Sequence, residues 1–298
     1  MKRILTLCFV MLMFAALAAA CPAAYAEETE SVILNKTKGE HADFAFAQDA
    51  QLLEVFFPKI YGCDSALVRY GEMTMLIDCA GNQNKEVRAM LEKLGITELT
   101  YAANSHPDAD HIGGFNNVLK RIPAGEFLLG FDEDHDSGDE VRFKVYEDLH
   151  AQGIPFRRVH DGDVIAFGDV NVTVHQRTDD LLPRVNNKSV MLMMEYGERR
   201  IFFTGDIQAA AQSLLAENAG SLDLKADILK YPHHGYDILQ PGFLEMVSPE
   251  MAICTCGEGN TEGIKQMREN GITTILTANQ ALRLATDGKV WTVEKFYY

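Results

Sequence analysis

Residues 105–114 read SHPDADHIGG, which places two histidines and two aspartates within six residues. The spacing His106-x-Asp108-x-Asp110-His111 is too dense for a surface charge run and too irregular for one helical face. Imidazole and carboxylate both bind zinc, and carboxylates also suit manganese or iron. The segment therefore reads as a metal site. Two further polar clusters are Thr204-Gly205-Asp206 and His233-His234-Gly235. All three follow apolar, strand-like runs, where a rigid scaffold presents variable loops. Taken singly, Asp110 would pass for a helix N-cap, the histidine pair for a surface loop and TGD for a turn. Together, at strand ends, they point to ligands. Two metals about 3.5–4 Å apart can share one bridging carboxylate, and Asp206 is the candidate bridge. Gly113 and Gly114 let the backbone pass close to the site and open the following helix.

The elements that must position these residues show in the apolar pattern. Strand-like runs cover 52–57, 65–70 and 73–79, and an amphipathic stretch at 84–95 ends at Gly95. A strand at 99–103 runs into the first cluster, and a helix starts over 110–119. Then come a strand at 126–131, a helix at 139–152, a hairpin over 163–176 and paired strands at 189–196 and 200–204. A helix at 208–219 precedes a strand at 226–231 that ends in PHHG. The chain closes with helix 242–247, strand 251–256, helix 262–270, strand 273–277 and a hairpin over 281–296. The hairpins exclude a purely parallel, doubly wound sheet. The order predicts an α/β fold of two mixed sheets packed together with helices outside. Residues 27–48 read as a loose lead, and residues 49–298 as one domain without an internal linker.

Lys2 and Arg3, the apolar run 4–20 and Ala24-Tyr25-Ala26 have the layout of a secretory signal peptide over residues 1–26. A lipoprotein cut before Cys21 is the weaker alternative. No later segment is long and apolar enough to span a bilayer, so the sequence predicts an exported protein with no stable membrane insertion after cleavage. The formal net charge is −16. That disfavours DNA as a general partner, because affinity for polyanions comes largely from Lys and Arg at phosphates. The pairs Lys120-Arg121, Arg157-Arg158 and Arg199-Arg200 offset this only if they line a groove. Cys63, Cys79, Cys254 and Cys256 remain after the leader. Four are too few for a disulfide scaffold, and Cys254-x-Cys256 sits on one face of an apolar strand.

SHPDADHIGG resembles the signature loop of the metallo-β-lactamase superfamily, written H-x-H-x-D-H. FFTGD resembles its bridging-aspartate strand and YPHHG its late histidine. The likeness runs from about residue 52 to the end. It is nearest to the branch that includes the extracytoplasmic domain of the DNA-uptake protein ComEC and the phosphorylcholine esterases. That branch shares an Asp in place of the second His, an NN-x-S-hydrophobic segment (here Asn186-Asn187-Lys188-Ser189-Val190), TGD and HHG.

The resemblance implies a four-layer αβ/βα sandwich with two divalent metal ions, zinc or manganese, at one edge. It implies His106 and Asp108 on one metal, Asp110 and His111 on the other, Asp206 between them, and a histidine of the 233–234 pair completing the second. His233, which follows the strand directly, is the expected ligand, and His234 is expected to face the substrate. Asp108 in place of a histidine makes the first metal's site harder and richer in oxygen, which moves the metal toward manganese. Asn186, Asn187 or Ser189 stands where a third histidine is usual, and His175 is the nearest histidine to it. Tyr236-Asp237 after HHG replaces the small Ser common in the branch. The implied activity is metal-assisted hydrolysis in which a bridging hydroxide attacks a phosphodiester, of nucleic acid or of cell-surface phosphocholine. Asp110 would orient the nucleophile, while His234 or Lys188 would serve the leaving group or an anionic substrate. An ester, lactone or amide hydrolase and a non-catalytic secreted binding module are the alternatives.

Overall fold

Period-two alternation of apolar side chains builds two mixed sheets in this computed structural model, which describes residues 32–34, 45–133, 139–178 and 182–298. One sheet runs, in spatial order, β1 (Val32–Leu34), β16 (Trp291–Phe296), β15 (Ala281–Thr286), β2 (Leu53–Phe57), β3 (Ala66–Tyr70), β4 (Met73–Ile77), β5 (Leu99–Asn104), β6 (Ala124–Leu129) and β7 (Phe156–Arg158). The other runs β14 (Thr273–Leu276), β13 (Met251–Cys254), β12 (Ile228–Lys230), β11 (Arg199–Phe203), β10 (Met191–Tyr196), β9 (Val170–His175) and β8 (Val164–Phe167).

Each strand sends alternate residues to opposite sides. Val55 and Phe57 of β2, Leu192 and Met194 of β10, and Ile201 and Phe203 of β11 fill the space between the sheets. Phe56 turns outward to the layer that holds Val87 and Met90 of α1 (Asn84–Lys93) and Val145 and Leu149 of α4 (Val141–Gln152). Phe202, Met191 and Met193 turn outward on the second sheet. There they meet Ala211 and Leu215 of α5 (Ala209–Glu217), Phe243 of α6 (Pro241–Val247) and Met267 of α7 (Glu262–Glu269). The result is the four-layer αβ/βα sandwich that the alternation and the motifs imply.

Local differences have physical causes. The lead contains a strand: β1 pairs in parallel with β16, in register Val32–Trp291 to Leu34–Val293. The helix expected over 110–119 is two short ones, α2 (Ala109–Ile112) and α3 (Phe115–Val118), separated by Gly113-Gly114. A Cβ on Gly114 would lie 1.7 Å from the Cys79 carbonyl oxygen, so only glycine lets this bend press onto the turn after β4. Strand β7 has only three residues and little apolar pattern to announce it. The first 31 residues, with the leader and its cleavage site, lie outside the described residues. Among those described, no helix is long and apolar enough to cross a membrane.

Candidate metal centre

Four parallel strands aim their C-terminal ends at one edge of the sandwich. β4 pairs with β5 in one sheet and β11 with β12 in the other. The residues that leave these ends are Asp78 after β4, Ser105 to His111 after β5, Asp206 after β11 and His233-His234 after β12.

Three imidazoles converge there, each presenting its Nε2 edge. His111 Nε2 lies 3.2 Å from Asp206 Oδ2 and 3.8 Å from Asp110 Oδ2. His234 Nε2 lies 3.2 Å from Asp110 Oδ2 and 3.4 Å from Asp206 Oδ2. His106 Nε2 lies 3.4 Å from Asp108 Oδ2, and its ring centroid is 4.0 Å from that of His111. Asp108 occupies the N-cap position of α2, yet its carboxylate makes no capping bond and turns to His106 instead.

The opposite edges of the same rings are fixed by a second set of groups. His111 Nδ1 donates to Asp78 Oδ2 at 2.8 Å. Asp78 is itself held by the Ser105 amide at 2.8 Å, the Ser105 hydroxyl at 2.7 Å and Asn104 Nδ2 at 3.0 Å. His106 Nδ1 faces Ser105 Oγ at 3.0 Å and Ser189 Oγ at 3.3 Å. Both hydroxyl protons are committed, Ser105 to Asp78 and Ser189 to the Asn186 carbonyl at 2.7 Å. The hydroxyls therefore accept, and the His106 ring proton sits on Nδ1. Thr255 Oγ1 donates to Asp64 Oδ1 at 2.5 Å and so accepts from His234 Nδ1 at 2.9 Å. All three rings thus carry a proton on Nδ1 and turn Nε2 to the carboxylates, where a cation would take the lone pair in place of a second proton. Carboxylates and hydroxyls that fix the tautomer in this way are the usual outer shell of a metal site.

The residues fit a divalent metal. His106 Nε2, His111 Nε2 and Asp206 Oδ1 are buried and make no hydrogen bond, an arrangement that leaves desolvated polar atoms without compensation unless a further group binds them. The charge balance agrees. Burial disfavours the imidazolium of His234, but Asp206 and Asp64 outweigh it and push its pKa up to about 9. The same balance, with Asp206 and Asp78, holds His111 well above the ordinary range. Burial acts to raise the Asp206 pKa, yet His111 and His234 hold its carboxyl well below the usual carboxylate range. A site this rich in carboxylate favours positive charge, whether a proton or a cation. Ligand-type atoms of Asp64, His111, Asp206 and His234 all lie within 4.8 Å of one another. Asp64 nevertheless belongs behind the cluster, because it contacts the Nδ1 side of His234 at 3.2 Å and forms a buried ion pair with Lys230.

The histidine pair reverses its expected order. His233 and His234 both take left-handed backbone angles, φ 49° and 59°. This twist carries the His233 ring out of the cluster to Asp237, with Nδ1 2.6 Å from Oδ2, and turns His234 in. The following Gly235 is required, since a Cβ there would lie 2.9 Å from Cys254 Sγ. His106, Asp108, Asp110, His111 and Asp206 are brought together, and His234 joins them in place of His233. Lys188 sits in the turn Asn186–Lys188, next to Ser189, and its ammonium makes no ion pair among the described residues. His175 ends β9, with its ring against Phe202 rather than in the cluster. Asn187 is used structurally: its Oδ1 accepts from the amides of Gln208 and Ala211 at the start of α5.

The sequence reading missed Asp64, Asp78, Lys230 and Thr255. Only Asp78 had a signal, as a lone acid at the end of the apolar run MTMLID. Most members of the basic pairs meet an acid. Lys120 meets Asp148, Arg157 meets Glu126, Arg158 meets Asp132, and Arg200 meets Glu195 and Asp223. Cys63, Cys79, Cys254 and Cys256, the four cysteines among the described residues, are free and buried.

Comparison with known proteins agrees with this geometry. Over 223 residues the chain is 28% identical to the Competence protein ComA of Neisseria gonorrhoeae, which covers 72% of this chain and 29% of that protein. Over 176 residues it is 26% identical to the Recombination protein 2 of Haemophilus influenzae, covering 59% of this chain and 20% of that protein. The chain thus spans less than a third of the length of either relative. In fold it is similar to CmlA, a diiron beta-hydroxylase from Streptomyces venezuelae, with a TM-score of 0.53, 10% identity, and coverage of 80% of this chain and 54% of that one. Residues 59–240, which contain the whole cluster, match the model of the Metallo-beta-lactamase superfamily, and the chain belongs to that family.

Proposed function

We propose that the protein is an exported, metal-dependent hydrolase that cleaves a phosphodiester. The observation that carries this reading is the set of three Nε2 atoms turned to Asp108, Asp110 and Asp206, with buried atoms left unpaired. His106 and Asp108 would hold one divalent ion, His111, Asp110 and His234 the other, and Asp206 both. When bound, such ions supply Lewis acidity and activate water near neutral pH.

The chain's own residues divide the remaining work. Asp110 is the most exposed carboxylate of the cluster, with a side chain 41% exposed against 26% for Asp108 and 3% for Asp206. Its Oδ2 faces the histidines, so Oδ1 is available to orient the attacking water and hold its proton. His234 has both ring nitrogens engaged and orients the site. His233 stands beside the cluster with Nδ1 2.6 Å from Asp237 Oδ2, and only as an imidazolium would it donate to the leaving group from Nε2, which has no partner among the described residues. Lys188, whose ammonium makes no ion pair among the described residues, would hold the anionic substrate. The oxygen-rich donor set suits manganese or zinc. Relatives named for competence and recombination support a phosphodiester substrate. The net charge of −16 and the locally paired arginines favour a small or cell-surface diester over long DNA.

The test is to load the protein with manganese or zinc and assay bis(p-nitrophenyl) phosphate beside a simple carboxylate ester, with Asp110→Ala as control. Metal-dependent diester cleavage, reduced about 100-fold or more in the variant, is the expected result. Cleavage of the ester alone would replace this reading with that of an esterase or lactonase. Silence on both with metal bound would favour a binding module.

A further inference from the structure

Beside the metal centre, the turn Gly81–Gln83, α2 and α3 wall a cavity of about 390 Å³, and Asp110 forms one side of it. Side-chain amides dominate its polar lining: Asn82, Gln83, Asn84, Asn116 and Asn117. Two of these are used by the protein. Gln83 Nε2 donates to the Tyr61 carbonyl at 2.5 Å, and Asn84 Nδ2 to the Gly81 carbonyl at 2.5 Å. The amides of Asn82, Asn116 and Asn117 make no hydrogen bond among the described residues, and Asn116 Oδ1 is buried without a partner. The sequence of α3, FNNV, explains their placement. Phe115 and Val118 enter the core, which leaves the two asparagines between them for the cavity side.

The chemistry of the wall selects a ligand class. Among the described residues no lysine or arginine lines the cavity, so these offer no counter-charge to a phosphate. None of the described lining residues is aromatic either, so they offer no platform on which a base would stack. What it offers are amide donors and acceptors in pairs, with Asp110 on the side that meets the metal centre. That set matches a neutral group whose hydroxyls both donate and accept. We propose that this cavity is a subsite for a sugar or other polyhydroxy group esterified to the phosphate that the metal centre cleaves; the second half of this statement rests on the phosphodiesterase reading.

The experiment uses metal-loaded protein and three diesters with one shared p-nitrophenyl leaving group: methyl phosphate, glucose 6-phosphate and thymidine 5′-phosphate. KM for the glucose diester is expected to be about tenfold below that of the methyl diester, the effect of one or two net hydrogen bonds. Asn82→Ala with Asn117→Ala, both exposed positions, is expected to bring that ratio toward one, as is Asn116→Leu. A matching advantage for the thymidine diester would extend the subsite to a pentose. An advantage for thymidine without one for glucose would mean that the base is read, and would overturn the proposal. Equal KM values for all three would overturn it as well. Calorimetric binding of glucose 6-phosphate against methyl phosphate needs no turnover. A preference for the sugar that the double variant abolishes upholds the subsite even if no diester is cleaved, and no preference overturns it.

Discussion

Lys230 carries an ammonium group into the interior, 4% exposed, directly behind the histidines. Burial works to neutralise it, but Asp64 and Asp206 raise its pKa above the ordinary lysine range. It pairs with Asp64, whose carboxylate touches His234 Nδ1 and accepts from Thr255. Removing one member of a buried pair strands the other charge, at about 3–5 kcal/mol. Lys230→Met is therefore expected to lower the unfolding free energy by about that amount, and Asp64→Asn in the same chain to recover part of it. Urea denaturation of the four chains of this cycle measures both effects. His175 makes a separate prediction about pH. Burial depresses its pKa below 6.5, so the folded state binds fewer protons than the unfolded state below that value. Stability is then lost as pH falls through 6.5 toward the folded pKa. His175→Gln is expected to flatten the melting temperature over that window, as scanning calorimetry at stepped pH would show.

At the scale of elements, the site depends on short segments held against one another. Gly114 closes the break between α2 and α3 onto the turn after β4, where an added methyl would meet the Cys79 carbonyl carbon at 2.8 Å as well as its oxygen. Backbone cannot move aside as a flexible side chain can. Gly114→Ala is expected to cost about 3 kcal/mol. Gly153→Ala, at φ 65° with no atom within 4 Å of the added methyl, is expected to cost only the left-handed strain of about 1–2 kcal/mol. Thermal melts of the two variants compare them directly. Local sequence made the first cluster legible, because its ligands lie within one loop. Asp206 was legible because TGD ends an apolar strand. The His233–His234 assignment was not, since two left-handed residues in succession reverse which ring faces inward and no side-chain pattern encodes that reversal. Asp64 and Lys230 were hidden for a different reason. They lie 166 positions apart and acquire meaning only when β3 and β12, from opposite sheets, meet at one edge.

On the scale of the whole molecule, the two sheets each contribute one half of the site. Asp78 and the segment from His106 to His111 come from one sheet, and Asp206 and His234 from the other. A metal held between them is expected to tie the halves together, so folding and loading are linked. Ligand at about 100 times its dissociation constant adds about 2.7 kcal/mol of stability, which chelation would remove. The layered architecture, the mixed sheets and the outer helices were readable from alternation and element order. The order of strands within each sheet was not, because pairings such as β15 with β2 join residues more than 200 positions apart. The measurement that most directly tests the metal centre is the metal content of purified protein, wild type beside His234→Ala and His233→Ala, by elemental mass spectrometry after dialysis against limiting chelator. The account predicts about two divalent ions per chain, as for paired sites of this type, with loss of metal in His234→Ala and retention in His233→Ala. Loss in His233→Ala with retention in His234→Ala, or a wild-type protein that binds no metal, would contradict it.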